Sequence, residues 1–450
     1  MDILKYLHER TSWFSQVIYV TLNLFFKTKM QNHAAAVAYY SLLSIAPLML
    51  FVTYLLNMHF QGYPEVLRAF AEILVTLHLD FLNTDSIGKM HAISGMLSFS
   101  GGVSLLILLW SSKGLMKSVQ SAFAVIFADS SKRNFMLSLI LSFLSMPFLF
   151  LLLAASMYGD YQASHYDYAS VGIPFLAKLL KFSLRMTGLF APFLGIWAIV
   201  FLLYLQIPHN RPRLSSTLIY SFFCTASVYA LEMLFAHVVR IEQYISLYGS
   251  LGDIIFVLIW VYFGFIQFFL WAQFLYVAGR IDVIALEKIF LASEERTRLE
   301  HRIDDYLFSR SSRIFRKYGQ SCSKGETIIR QNDDTASIYY LYSGQVGLYR
   351  ENNGTEIRMG GLRPGEIFGE MAYLLGERRT ATVVAETDCF LFILSPETLE
   401  ALMGYSTKLS RRIIESLCQR IAKMNKGVLV SGFASSTHKL PVFKPGAGAV

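Results

Sequence analysis

The chain has 450 residues, of which 54% are hydrophobic and only 16% are charged, and its mean hydropathy is +0.43. Soluble proteins carry about a quarter charged residues, so this composition excludes an entirely soluble protein. The net charge of +8 is explained by cytoplasmic loops, which collect Lys and Arg in membrane proteins, and we expect no nucleic acid partner. The apolar runs end near Gly279–Arg280, where the composition places a domain boundary.

Six apolar segments predict membrane-spanning helices, at roughly 34–57, 95–112, 134–158, 183–206, 215–239 and 250–278. Each segment is close to the 20 or so apolar residues that cross a bilayer core. A backbone in lipid must satisfy its hydrogen bonds internally, which a helix does. The segment 12–26 is interrupted by polar residues, and it predicts a helix that lies on the membrane surface.

The loops between these segments differ in positive charge. The N-terminal segment, the loop after the second span and the turn after the fourth are the richest, with Lys5, Arg10, Lys27, Lys29, Lys113, Lys117, Lys132, Arg133, Arg211 and Arg213. Excess Lys and Arg stays on the cytoplasmic side. The sequence therefore predicts a multi-pass protein, embedded in the lipid bilayer, with both termini in the cytoplasm.

One carboxylate falls in the middle of a predicted span, at Glu232 in the run ALEMLFAH. A charge inside a bilayer is expensive and marks a candidate functional residue. Two interpretations stay open for Glu232: a residue that lines a membrane pathway, and a residue paired inside the helix bundle.

Two stretches of the apolar half resemble the YihY/BrkB family of inner-membrane proteins. They are AAAVAYYSLLSIAPLML at 34–50 and YGSLGDIIFVLIW at 248–260. The resemblance implies a membrane domain over residues 1–281, with transport or envelope integrity as its expected role. The chain departs from the family at Trp271-Ala272-Gln273, where the family usually has Gly-Ala-Glu, so a role tied to that carboxylate is not carried over.

Catalytic chemistry has little support in the sequence. None of the ten histidines has H-x-x-x-H spacing, and no phosphate-binding G-x-x-x-x-G-K-[ST] motif is present. Metal-dependent hydrolysis needs clustered carboxylates and histidines, so we expect no enzyme, no catalytic residue and no metal. The cysteines, at 224, 322, 389 and 418, lack metal-ligand spacing and are expected to be reduced thiols.

The second half of the chain changes character along its length. Residues 282–318 combine apolar and charged positions and predict a helical connector. Six short alternating segments between 325 and 396 predict a β-roll, a jelly-roll-like fold. Ser395-Pro396 begins a helix, a second helix is predicted over 407–424, and the tail at 431–450 is expected to be disordered. The fold class is therefore multi-domain: an all-α membrane bundle of about six helices and a β-roll with flanking helices.

The chemistry of this half is concentrated in FGEMAYLLGERRTATVVA, residues 368–385. A Gly-Glu pair opens a short helical turn whose free backbone N–H groups suit a phosphate. The carboxylate of Glu370 can accept a hydrogen bond from a ribose 2′-OH. The guanidinium of Arg379 is a permanent charge suited to a phosphodiester.

This segment resembles the phosphate-binding cassette of cyclic nucleotide-binding domains. The resemblance implies such a domain over residues 319–430 and, as its ligand, cAMP or cGMP with no cofactor. The implied binding residues are Phe368, Gly369, Glu370, Met371, Ala372, Arg379 and Thr380. The chain departs from the family at Asn332, where a Gly is usual, and Asn tolerates positive φ. The helix near Lys423 is the expected lid over the base.

The two halves together predict a transporter or envelope-integrity factor regulated by a cyclic nucleotide. The alternative is a non-transporting membrane scaffold or sensor whose nucleotide domain controls a protein partner. The sequence leaves open the solute, homo-oligomerisation and whether the nucleotide activates or inhibits.

Overall fold

The computed structural model describes residues 2–44, 97–128, 190, 192–208, 211–238, 250–291, 303–309, 312–352 and 355–419. The chain divides into two compact units. The first unit comprises residues 17–280. The second unit comprises residues 281–450 together with the N-terminal residues 1–16.

The described helices up to residue 291 are six, and we number them in chain order. They are α1 (Asp2–Lys27), α2 (30–44), α3 (Leu97–Ile126), α4 (Pro192–Gln206), α5 (Leu214–Val238) and α6 (Ser250–Phe290). Two stretches, Leu214–Phe235 in α5 and Ile255–Phe290 in α6, are long and apolar enough to cross a membrane. The predicted span 134–158 lies outside the described residues, and the six-span count stays a prediction.

Helix α1 extends beyond the surface helix expected over 12–26. Its exposed face carries an apolar stripe at four-residue spacing: Phe14, Ile18, Leu22 and Phe26. Val17, Thr21 and Phe25 are buried in a second stripe, which lies beside the exposed one because neighbouring residues of a helix are about 100° apart. The helix therefore carries apolar side chains on its exposed surface as well as on its buried surface, and its place on the membrane surface stays a prediction.

An aromatic cluster joins three helices of the first unit. The ring of Phe123 on α3 lies 6.1 Å from Tyr204 on α4 and 5.7 Å from Phe268 on α6, measured between centroids. The hydroxyl of Tyr204 donates to the carbonyl of Phe268 at 2.6 Å. This bond satisfies the polar tip of a fully buried tyrosine, as an apolar interior requires.

Helix α6 runs without a break through the composition boundary at Gly279–Arg280. Its 41 residues correspond to a length of about 60 Å, roughly twice the thickness of a hydrocarbon core. The apolar part of α6 is therefore followed, in one continuous helix, by residues that belong to the second unit.

The second unit continues with a π-helical turn (Asp305–Ser309), helix α7 (Ser312–Tyr318) and eight strands. The strands are β1 (Gly319–Cys322), β2 (Thr327–Ile329), β3 (Ile338–Ser343), β4 (Val346–Asn352), β5 (Thr355–Leu362), β6 (Ile367–Phe368), β7 (Thr382–Ala385) and β8 (Cys389–Leu394). They form two antiparallel four-stranded sheets, β1-β8-β3-β6 and β2-β7-β4-β5. The expected antiparallel β domain is confirmed.

The core of the β domain lies between the two sheets. Leu341 and Leu391 of the first sheet and Val346 of the second are fully buried in one cluster. The six strands expected from alternation are present. Strands β1 and β6 were not predicted, because GQSC and IF are too short and irregular to show a period of two.

Three short helices complete this unit: α8 (Glu370–Leu375), α9 (Pro396–Tyr405) and α10 (407–419). The predicted start of α9 is confirmed, because the side chain of Ser395 accepts a hydrogen bond from the Thr398 N–H and Pro396 occupies the first turn. On α10, which confirms the helix predicted from 407, Leu409 and Ile413 are buried. The predicted lid near Lys423 and the tail 431–450 lie outside the described residues.

Candidate functional site

The cassette between β6 and β7 is shaped by two glycines in left-handed conformation. Gly369, with φ of 79°, turns the chain from β6 into α8, and Gly376, with φ of 67°, ends that helix. A Cβ on Gly369 would lie 2.7 Å from Nη1 of Arg379, whereas one on Gly376 would meet nothing within 4 Å. Gly369 therefore serves both the turn and the close approach of the arginine.

The cassette is anchored to the first sheet through Phe368. This residue is opposite Tyr339 in the β3–β6 pairing, and the two rings stack with centroids 5.2 Å apart. Phe368 and Ala372 are both buried, so the predicted residues on either side of the Gly-Glu pair pack into the domain. Met371 is half-buried and Thr380 is exposed at the far end of the cassette.

The guanidinium of Arg379 is buried, with 3% of the residue exposed. Nη1 donates to the carbonyl of Gly369 at 2.7 Å and Nη2 to the carbonyl of Ser337 at 2.6 Å. Nε donates to the hydroxyl of Thr335 at 3.1 Å. All three acceptors are neutral oxygens.

Burial and neighbouring groups have opposite effects on the pKa of Arg379. Burial lowers the pKa of Arg379, and the charges of Tyr339, Asp333 and Glu370 oppose that effect. An arginine guanidinium stays protonated in proteins, so the cassette contains a buried positive charge.

The turn between β2 and β3 contacts Arg379 on the side opposite to the cassette turn. Asn332 has φ of 69°, as predicted for a residue in the place of a glycine. Its N–H donates to the carbonyl of Arg379 at 2.8 Å, and the N–H of Arg379 donates to the carbonyl of Asp333 at 3.1 Å. Thr335 and Ser337 were not predicted as site residues. The sequence feature that could have indicated them is the polar run QNDDTAS at 331–337, which is longer than a simple turn requires.

Glu370 lies at the start of α8 with 2% of the residue exposed, and it lines a cavity of about 240 Å³. The other lining residues include Phe290, Tyr340, Glu366, Leu409, Arg412 and Ser416. Arg379 and Thr380 are not among them. The structure thus brings Gly369, Glu370 and Arg379 together, with Glu370 lining the cavity and the guanidinium held by Gly369, Ser337 and Thr335.

The remaining candidate residue, Glu232, is exposed on α5. Its role in a membrane pathway stays a prediction. Among the described residues, no group of three His, Cys, Asp or Glu side chains is arranged to hold a metal ion.

An antiparallel β domain with a Gly-Glu turn and a buried arginine is typical of cyclic nucleotide-binding domains. Residues 320–406 match the family of these domains, so the chain combines a helical membrane part with a cyclic nucleotide-binding domain. Residues 22–283, more than half of the chain, match the family described as Virulence factor BrkB. The chain therefore belongs to the Virulence factor BrkB family, which is a membrane family.

Similar proteins match the second half of the chain. A cAMP-dependent protein kinase regulatory subunit from Dictyostelium discoideum is 30% identical over 99 residues, which are 22% of this chain and 30% of the subunit. The cyclic AMP receptor protein of Thermus thermophilus is 29% identical over 118 residues, which are 26% of this chain and 55% of that protein. The crystal structure of the catabolite activator protein from Thermus thermophilus covers 26% of this chain and 55% of its own, at 29% identity and a TM-score of 0.24.

The two cassette glycines give a matched test of this geometry. A non-glycine residue in the left-handed region costs roughly 1–2 kcal/mol, so Gly369→Ala and Gly376→Ala share that penalty. Only Gly369→Ala also forces its Cβ against Arg379. We expect Gly369→Ala to lower the thermal unfolding midpoint of the purified chain more than Gly376→Ala does. Equal midpoints in the two variants would contradict the close approach.

Proposed function

We propose that this chain is a membrane protein regulated by cAMP or cGMP, which binds its C-terminal domain through Glu370 and Arg379. The matched domain family supports a cyclic nucleotide as the class of ligand. The membrane domain transports a solute or maintains the envelope, and the nucleotide sets its activity.

The observation that carries this proposal is the buried guanidinium of Arg379. A charge inside a protein is stable only when it is paired and hydrogen-bonded. Its three hydrogen bonds go to neutral oxygens, of Gly369, Ser337 and Thr335. A phosphodiester brings one negative charge, and a charge-assisted bond is roughly twice as strong as a neutral one. The site therefore favours a singly charged anion.

Glu370 supplies the second requirement of a nucleoside ligand. It is two residues from Phe368, which fixes the cassette to β3, and it lines the cavity. An ionised carboxylate is an acceptor only, so it takes a hydrogen bond from a sugar hydroxyl and repels a phosphate. The opposite charges of Glu370 and Arg379 thus orient the sugar and the phosphate of one ligand. The base is selected elsewhere, and the exposed Thr380 is our candidate for a contact with guanine.

We expect Arg379→Ala to weaken binding of cAMP or cGMP by roughly ten- to a hundredfold. The lost bonds to a charged group are worth about 1.5–3 kcal/mol, and about 1.4 kcal/mol is tenfold in affinity. Arg379→Lys restores only part of the affinity, because an ammonium lacks the planar fork of donors. Calorimetry on the purified chain in detergent measures these constants.

Matched variants separate a specific contact from a general effect of charge. Arg378 is the exposed neighbour of Arg379, so Arg378→Ala removes the same charge and should leave binding close to that of the wild type. Glu370→Ala should weaken binding of cAMP but add little to the loss already shown by the 2′-deoxy nucleotide. Absence of heat with either nucleotide at millimolar concentration would refute the ligand proposal.

The proposed topology places both termini in the cytoplasm, where the nucleotide is made. The side chain of Gln16 is fully buried and donates to the carbonyl of Leu307 at 2.7 Å. Residues 1–16 and 281–450 form one compact unit. This contact supports a common side of the membrane for the N-terminus and the nucleotide domain.

Reporter fusions test this topology. A reporter that is active only in the cytoplasm, fused before residue 2 or after residue 419, should be active in both positions. We expect a reporter that requires export to be inactive at both positions. Activity of the exported reporter at either end would contradict the arrangement and remove the access of Arg379 to intracellular nucleotide.

A measurement of solute flux distinguishes a transporter from a scaffold. In proteoliposomes that contain the purified chain, a transporter should produce a solute flux that changes when cAMP or cGMP is added. Arg379→Ala should shift the response to a nucleotide concentration about ten- to a hundredfold higher. A chain that binds nucleotide and produces no flux with any tested ion or metabolite would favour the scaffold.

A further inference from the structure

The last turns of helix α6 are buried in the second unit. Six of its apolar side chains from 281 onward are at most 5% exposed, namely Ile281, Ile284, Ala285, Leu286, Ile289 and Phe290, and Val283 is partly exposed. Lys288 forms an ion pair with Asp304 at 2.8 Å, and Asp282 forms one with Arg313 at 2.6 Å. The end of α6 is therefore part of the second unit in its packing, although it continues a long apolar helix.

Phe290, the last residue of α6, packs against the outer face of the first sheet. Its ring stacks on Tyr340 of β3 with centroids 3.8 Å apart and an angle of 18° between the planes. It also meets Phe392 of β8 at 5.9 Å. Tyr340 lies opposite Ile367 in the β3–β6 pairing, so the stack contacts the strand pair from which the cassette begins.

Arg412 of α10 closes the end of α6. Its Nη1 donates to the carbonyl of Phe290 at 3.2 Å. The last four carbonyls of a helix have no partner within the helix, and a cation is favourable at that negative end of the helix dipole. The bond therefore joins α10 to the end of α6 through a group that requires a partner.

Phe290, Tyr340 and Arg412 line the same cavity as Glu370. We propose that the end of α6 is a wall of the part of the nucleotide site that contains Glu370, in which Phe290 and Arg412 are positioning residues that hold β3 and α10 around Glu370. Arg379, on the other side of the proposed ligand, does not line this cavity. This inference rests on the proposed binding of a cyclic nucleotide. It identifies where regulation of that site acts: at the helix that leads out of the membrane part.

Docking of the end of α6 and binding of nucleotide must affect each other equally, as thermodynamic linkage requires. If the docked end of α6 raises the affinity for nucleotide, the nucleotide stabilises the docked end by the same factor. Two measurements on the full chain follow: the affinity for nucleotide in variants of the wall, and the protection of residues 281–291 from hydrogen exchange in the wild type.

The variants have matched controls in the same unit. Phe290→Ala removes the stacked ring, and Phe315→Ala removes a half-buried ring that contacts the same Phe392 at 5.0 Å but does not line the cavity. Arg412→Gln removes the bond to Phe290, and Arg378→Gln removes the charge of an exposed arginine that does not line the cavity. We expect Phe290→Ala and Arg412→Gln to weaken cAMP or cGMP binding by about tenfold, with both controls close to the wild type.

A conservative variant of Phe290 and a measurement of hydrogen exchange complete the test. Phe290→Tyr keeps the ring and should bind almost as the wild type does. In the wild type, added nucleotide should slow hydrogen exchange at 281–291, and Arg379→Ala at the same nucleotide concentration should show a reduced effect. The exchange measurement needs no wall variant, so it decides the matter even where Phe290→Ala fails to fold.

Two kinds of failure are distinguishable. A wild type that binds nucleotide, with unchanged affinity in Phe290→Ala and Arg412→Gln or with unchanged exchange at 281–291, overturns this inference and leaves the proposed function standing. A wild type that binds neither cAMP nor cGMP overturns both.

Discussion

The three hydrogen bonds of the Arg379 guanidinium hold the candidate site together. They connect the carbonyl of Gly369, in the cassette, to Thr335 and Ser337, in the segment before β3. Backbone hydrogen bonds between Arg379 and residues 332 and 333 join the same two segments, and the planar guanidinium adds three side-chain bonds to them. Inside a protein an unmade hydrogen bond is expensive, so these bonds stabilise the two loops against each other.

The position of the Arg379 guanidinium also explains why residue 369 is a glycine. Nη1 of Arg379 occupies the space where a Cβ at position 369 would stand, and the backbone there is left-handed. A ligand that is to meet both Glu370 and Arg379 therefore finds them prepositioned, and little ordering of side chains opposes binding. The geometry of the site is a property of the free protein.

The end of helix α6 carries the regulation that we propose. A ligand shifts a conformational equilibrium only by its differential affinity for two states, so the proposal requires an element that differs between them. We propose the buried end of α6 as that element, because Phe290 stacks on Tyr340, bonds to Arg412 and lines the cavity, and because it belongs to one helix of 41 residues. Its stiffness comes from unbroken i to i−4 hydrogen bonds.

The sequence alone determined the local features of this protein: the apolar helices α5 and α6, six of the eight strands, the Ser395 cap and the positive φ of Asn332. Each of these depends on residues within a few positions of one another, where periodicity and side-chain chemistry act directly. It also indicated Gly369, Glu370 and Arg379, through the spacing of one motif. Only the tertiary structure decided that Arg379 bonds to Ser337, that Phe290 stacks on Tyr340 and that Gln16 reaches Leu307. These contacts join residues far apart in the chain, whose meeting depends on how the elements pack rather than on the propensity of any segment.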